Sequence, residues 1–188
     1  MTNTSSSYVL LAFVGMPGSG KTEAAQYLKE KGYAYVRFGD VTEDVLREKL
    51  LPITPENEQE VRETLRQEQG MQAYAEKSLP KILRQLENHE VVVLDGLYSW
   101  EEYRFLQEKG LRVVLIHVYT EKHIRYERLA TRSVRPLSKK EAFARDIAEI
   151  EKLNKSGPIA AADYLIENNE QKEQLYDKLG RLCERLKI

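Results

Sequence analysis

Six apolar residues, Val9 to Val14 (VLLAFV), run straight into GMPGSGKT, Gly15 to Thr22, and then into the helix-like KTEAAQYLKEKG. A short apolar run bounded by turn residues reads as a strand covered on both faces. The glycines at 15, 18 and 20 let the backbone fold back, and G-x-x-x-x-G-K-[ST] between a strand and a helix is the spacing of a phosphate-cradling loop. Its backbone N–H groups converge on an anion, and the positive end of the next helix reinforces them. Few folds remain open: parallel strands must deliver such loops to one sheet edge while helices return the chain over the faces.

The rest of the chain keeps that rhythm. Stretches of strand length recur at Tyr33 to Phe38, Val91 to Leu94, Arg112 to Val118 and Tyr164 to Ile166, separated by charged segments of helical periodicity. Three carry start signals. Thr54 before Pro55 suits an N-cap and first helical residue, while Ser99 with Glu102 and Ser138 with Glu141 suit capping boxes. Two helical stretches interrupt the alternation, residues 41–87 and 131–157; both follow points where a strand or helix leaves the sheet, so they could be lids. The expectation is a single α/β domain over residues 1–188, with disorder confined to the serine-rich residues 1–7.

Composition narrows the partners. Lysine plus arginine (29) balance aspartate plus glutamate (30), giving a net charge of -1, so no global field draws nucleic acid. No stretch approaches the roughly 18 consecutive apolar residues that span a bilayer. No basic segment followed by a long apolar run opens the chain. These absences lead to the expectation of a cytoplasmic protein without nucleic-acid or membrane partners; oligomeric state leaves no mark in the sequence. The lone Cys183 excludes an internal disulfide. His89, His117 and His123 are not at ligand spacing and are expected to be structural.

The loop motif assigns chemistry residue by residue. Gly15, Met16, Pro17, Gly18, Ser19 and Gly20 form the cradle, and Glu23 follows in the first helical turn. Lys21 can reach the β- and γ-phosphates of ATP, and the Thr22 hydroxyl can ligate Mg²⁺. Asp95, ending the apolar strand in VVVLDGLY, suits a carboxylate that holds the same Mg²⁺, although strand-end aspartates also cap helices. Asp40 follows the second strand toward the same sheet edge, where it could orient an acceptor hydroxyl or merely cap the next helix. Arg62 and Arg66, four apart on one helix face, could grip an acceptor anion or pair with Glu58, Glu63 or Glu68. A GTPase is excluded because NKSG at 154–157 has Gly157 where base recognition needs aspartate. The chain is short for a typical AAA+ module with its own helical lid, and it lacks an LSGGQ-like segment.

These residues resemble a family. RFGDVTEDVLREKL is similar to the G-D-x-x-R region of adenylate kinase and other nucleoside-monophosphate kinases, LDGLYS to their D-G-x-x-R segment, and ERLATRSVRP to their lid arginines. AADYLIENN resembles a segment of dephospho-CoA kinases. The likeness is nearest to an archaeal family of kinase-like proteins that shares V-G-M-P-G-S-G-K, G-D-V, L-R-x-E-x-G, D-G, R-D and A-D-Y in this order. The resemblance implies a P-loop NTPase fold, three-layer α/β/α with a five-stranded parallel sheet of order 2-3-1-4-5. It implies that residues 41–87 bind the acceptor and that 131–157 form a lid. It places Arg128, Arg132, Arg135 and Arg145 around the transferred phosphoryl group, although Arg128 and Arg132 could equally form surface pairs. It puts Arg128 and Asn168 (or Asn169) against the donor nucleotide, and Asp40, Arg47, Gly96 and Tyr98 on the acceptor side. Two departures stand out: Tyr98 lies two residues after Gly96, where the family has arginine, and the lid lacks paired aspartates. The activity implied is an ATP- and Mg²⁺-dependent kinase acting on a small nucleotide-like acceptor. Dephospho-CoA kinase is the alternative within that class, and a nucleotide-binding regulatory ATPase is the alternative outside it.

Overall fold

A computed structural model describes residues 8–188; the disorder expected for residues 1–7 falls outside the described residues. The elements are β1 (Val9–Val14), α1 (Lys21–Glu30), β2 (Ala34–Arg37), α2 (Asp40–Glu48), α3 (Pro55–Gln69), α4 (Ala73–Leu86) and β3 (Val91–Asp95). They continue with α5 (Trp100–Glu108), β4 (Val113–Tyr119), α6 (Lys122–Thr131), α7 (Lys139–Leu153), α8 (Ser156–Ala160), β5 (Tyr164–Glu167) and α9 (Lys172–Leu186). The five strands form one parallel sheet in the order β2-β3-β1-β4-β5, as the resemblance implied.

The apolar run of β1 explains its central place. It pairs with β3 on one side (Val9 opposite Val91) and with β4 on the other (Leu10 opposite Val113), and all six of its residues are buried. Successive side chains point to opposite faces. Leu10, Ala12 and Val14 join a core with α2, α3, α4 and α5, through Leu46, Val61, Ile82 and Leu106. Val9, Leu11 and Phe13 join a second core with α1 and α9, through Leu28, Leu175 and Leu179. Each wholly buried branched side chain contributes about 1.5–3 kcal/mol relative to exposure, so a strand apolar on both sides belongs in the middle of three layers.

Local chemistry starts the helices as expected. Thr54 Oγ1 accepts from the Asn57 N–H ahead of Pro55, and Ser99/Glu102 and Ser138/Glu141 each form a complete capping box. The 41–87 stretch becomes α2, α3 and α4 on one face of the sheet. The 131–157 stretch becomes a loop, α7 and the start of α8, and Ala142 of α7 packs with Tyr126 and Leu129 of α6 in a small separate core. No helix among the described residues is long and apolar enough to cross a membrane.

Candidate active site

The loop after β1 uses its glycines as the spacing requires. Gly15, Gly18 and Gly20 all have positive φ (144°, 78° and 98°). A Cβ on Gly15 would come within 2.5 Å of the Val118 carbonyl, and one on Gly18 within 2.8 Å of the Arg125 carbonyl. Only glycine therefore fits there. The buried Ser19 hydroxyl lies beside Gly15 and has no hydrogen-bond partner among the described residues. Lys21 folds back so that its ammonium donates to the Met16 carbonyl at 2.9 Å. Burial first, and the neighbouring Lys155 ammonium second, push its pKa well below the ordinary lysine value, while Glu149 and Asp95 oppose the shift.

Because β3 is the direct neighbour of β1, its terminal Asp95 meets the start of α1. Thr22 Oγ1 donates to Asp95 Oδ1 at 3.2 Å, the Tyr35 hydroxyl donates to Oδ2 at 2.8 Å, and Gln26 Nε2 donates to that tyrosine oxygen at 2.9 Å. Burial, then the Asp95 charge, raise the Tyr35 pKa, so its hydroxyl stays a proton donor. Asp95 is thus a fixed, 5% exposed carboxylate. Among the described residues no group of three or more His, Cys, Asp or Glu side chains is arranged to hold a metal.

Beside the loop opens a cleft of about 330 Å³, lined by Gly20, Glu23, Arg128, Asn168, Glu170 and Lys172. Arg128 reaches the Glu170 carbonyl at 3.0 Å and has no described carboxylate partner. Asn168 is buried and donates to the Ser19 carbonyl at 2.8 Å, so its side chain ties β5 to the loop rather than reaching outward. Asn169 likewise turns to Glu121 and Glu167. Glu23 pairs with Lys172 at 2.9 Å and accepts from the Tyr176 hydroxyl.

On the other side, between α3, α7 and the turn after β3, lies a cavity of about 630 Å³. Arg62, Arg66, Arg135, Arg145 and Lys152 line it against two carboxylates, Glu63 and Glu149, with Tyr98 at its wall. Gly96, at φ 100°, makes the turn that brings Tyr98 there. Burial first, then the charges of Asp95 and Glu149, push the Tyr98 pKa up to about 12. The Arg66 guanidinium lies over the Tyr74 ring at 4.8 Å, and its buried Nε has no partner. Arg135 spans to Glu58 on α3 at 2.8 Å, joining the loop before α7 to α3. Arg132 lies alongside and donates to the Arg135 carbonyl at 2.6 Å; burial, then the charges of Arg145 and Arg135, lower its pKa.

Two expected acceptor-side residues lie outside this cavity. Asp40 is 41% exposed and pairs with Arg37 at 3.2 Å, because α2 starts at the outer strand β2 and carries it away from β3. Arg47, 64% exposed, pairs with Asp44 and Glu43 on its own helix. Trp100 covers Gly157, where a Cβ would meet it at 2.9 Å.

Other residues escaped sequence reasoning. Arg125 is buried and bidentate to Asp146 at 3.0 and 2.7 Å, and also donates to the Pro17 carbonyl at 2.8 Å. The R-D pair of the lid was the only signal for Asp146, and it pointed to Arg145 instead. Lys155 is 2% exposed and pairs with Glu149, which also accepts from Arg145. Lys155 stood in a segment read only as a failed base-recognition motif.

The signature of the AAA domain family matches residues 11–154. A UPF0200 protein from Thermococcus sibiricus is 37% identical, with 96% of each chain covered. Among solved structures, a shikimate kinase from Bacteroides thetaiotaomicron superimposes with a TM-score of 0.61 at 16% identity, covering 96% of this chain and 99% of its own. A sugar kinase from Janibacter gives 0.57 at 18% identity, covering 96% and 95%. Those two likenesses show the fold, a P-loop kinase-like α/β/α sandwich. With the loop, the sheet order and near-full-length similarity in agreement, the chain belongs to the AAA domain family of P-loop proteins and to the UPF0200 family.

Proposed function

We propose that this protein is an ATP- and Mg²⁺-dependent phosphotransferase that moves the γ-phosphoryl group to a small nucleotide or nucleotide-like acceptor. The observation that carries the reading is the cation-lined cavity walled by Tyr98, Arg145 and Glu149, of which the charges of Arg145 and Glu149 reach Lys21 at the phosphate loop. On this reading a donor site and an anion-binding acceptor site would lie side by side. Loop N–H groups, the unpartnered Ser19 hydroxyl and Lys21 would bind the β- and γ-phosphates. Charged phosphate oxygens would stabilise the Lys21 ammonium that burial disfavours.

Thr22 Oγ1 and Asp95 Oδ1 are hard oxygen donors already side by side. They fit Mg²⁺, which takes one or two protein oxygens and completes its shell with waters and phosphate oxygens. When bound, the ion would supply charge neutralisation at the phosphates. Tyr35 keeps the Asp95 carboxylate oriented. The 330 Å³ cleft beside Gly20 and Arg128 would take the donor nucleoside. Arg62, Arg66 and Arg145 would hold the acceptor, because planar guanidinium groups grip phosphate or carboxylate oxygens in pairs. If the attacking oxygen belongs to a phosphate, no general base is needed, in keeping with Asp40 lying outside the cavity.

Labelled ATP incubated with nucleoside monophosphates, dephospho-CoA and other small acceptors tests the reading, wild type beside Lys21→Ala. Acceptor-dependent label transfer that falls by about 100-fold or more in the variant supports it. Slow hydrolysis indifferent to every acceptor would select a regulatory nucleotide-binding ATPase instead.

A further inference from the structure

Lys155 is the most deeply buried lysine of the described residues, and it sits beside the loop lysine. It lies in the turn between α7 and α8, just after Asn154 at φ 48°. Its ammonium contacts Glu149 and lies 4.5 Å over the Tyr98 ring centroid. Glu149 is shared, since Arg145 donates to its other oxygen at 3.0 Å. Of the other carboxylates nearby, Asp146 is neutralised by Arg125, whereas Asp95 accepts only from the neutral hydroxyls of Thr22 and Tyr35 and keeps its charge. Tyr98 cannot serve as the balancing anion, because its hydroxyl stays protonated. Lys21, Lys155 and the half-exposed Arg145 therefore converge on Glu149 and Asp95, three cations against two carboxylates, and buried positive charge in excess of its partners is costly. A phosphoryl group entering beside Lys21 would supply the missing negative charge.

We propose that Lys155 is a second lysine of the transfer centre, contacting the γ-phosphoryl group from the lid side while Lys21 contacts it from the loop side. Tyr98, in the place where the resembling family carries arginine, then acts as a platform that aims this cation rather than as a lost contact. In the step itself, the bond between Pγ and the ADP oxygen breaks as the bond to the acceptor oxygen forms. ADP leaves with the electron pair, and Lys155 keeps its three protons throughout.

The inference rests on the phosphotransferase reading, and comparing two nucleotides separates the two. Calorimetric titration with Mg²⁺ and either a non-hydrolysable ATP analogue or ADP reads the γ-phosphoryl contact directly. Lys155→Met is expected to weaken the analogue by about tenfold or more while ADP stays within about twofold, and Lys155→Arg to restore part of the preference. A purely structural ion pair would shift both nucleotides together or neither, and either result overturns the role. Should the methionine variant fail to fold, Lys155→Gln, which keeps a hydrogen-bond donor for Glu149, gives the same readout. Wild-type protein that binds neither nucleotide would remove the phosphotransferase reading and this role with it. Wild-type binding of both with an unchanged preference in the variants removes the role of Lys155 alone.

Discussion

Glu102 is a residue on which local and tertiary demands conflict. Its Oε2 accepts the N–H groups of Tyr98 at 2.6 Å and Ser99 at 3.0 Å, closing the capping box of α5. The side chain is also wholly buried, and Oε1 has no partner. Burial therefore pushes its pKa up to about 7, against the opposing pull of the two N–H groups and of Arg66. The folded protein keeps a proton here that the unfolded chain, titrating near the model-peptide value of about 4.3, has already lost. Stability should therefore fall as pH rises from the ordinary carboxyl range toward 7, by on the order of 3 kcal/mol, and level off above. Urea unfolding of the wild type and Glu102→Gln at pH 5 and pH 8 checks this; the glutamine variant should lose the slope, and parallel behaviour would refute the shift. Ser99-x-x-Glu102 was legible as a cap because the signal is local. Its burial was not, since that depends on what packs over α5. Lys21, Thr22 and Asp95 are each fixed by a motif or a strand end, whereas the pairing of Lys155 with Glu149, only six residues apart, depends on the turn at Asn154 (φ 48°) and on the burial around it.

At the scale of elements, the strands were readable to within about a residue because a sheet buried on both faces demands continuous apolar runs. The five residues of α8 were not, since Ser156–Ala160 is too short to show a period. How α6 and α7 join the phosphate loop was also hidden, because it depends on Arg125 pairing with Asp146 across 21 positions of sequence. Arg125→Met would leave the Asp146 carboxylate buried and unpaired and deprive the Pro17 carbonyl of a donor. Loss of about 3–5 kcal/mol is expected in denaturant titrations, and Arg125→Met combined with Asp146→Leu should recover a good part of it. Strictly additive losses would show that the pair does not act as a unit. Gly157→Ala tests the neighbouring contact. Its Cβ would press on Trp100 at 2.9 Å, so a loss of about 1–3 kcal/mol is expected, removed when Trp100 is shortened to Leu.

For the whole molecule, a net charge of -1 concealed how unevenly charge is arranged. Acidic residues balance the total, yet five cations face two carboxylates in the cavity between α3 and α7. Counting charges along the chain cannot reveal that, since the arginines come from helices about 80 residues apart that only the sheet topology brings together. The order of that sheet was itself legible only through family resemblance. The topology also sets what must move. The loop before α7 already touches α3 through Arg135 and Glu58, yet α7 is anchored to the rest mainly through α6 and the buried Arg125–Asp146 pair. A phosphotransferase must exclude water from its donor, so α7 should close further when both sites carry anions. Hydrogen exchange over Lys139–Leu153 should slow by about fivefold or more with a non-hydrolysable ATP analogue, Mg²⁺ and inorganic phosphate together, and less with the analogue or phosphate alone. The gain from phosphate should vanish in Arg66→Met, which lacks a cation in the cavity but keeps the loop. If α7 exchanges at the same rate with and without both ligands, residues 131–157 are not a lid. The cation-lined cavity would then be a fixed feature of the fold.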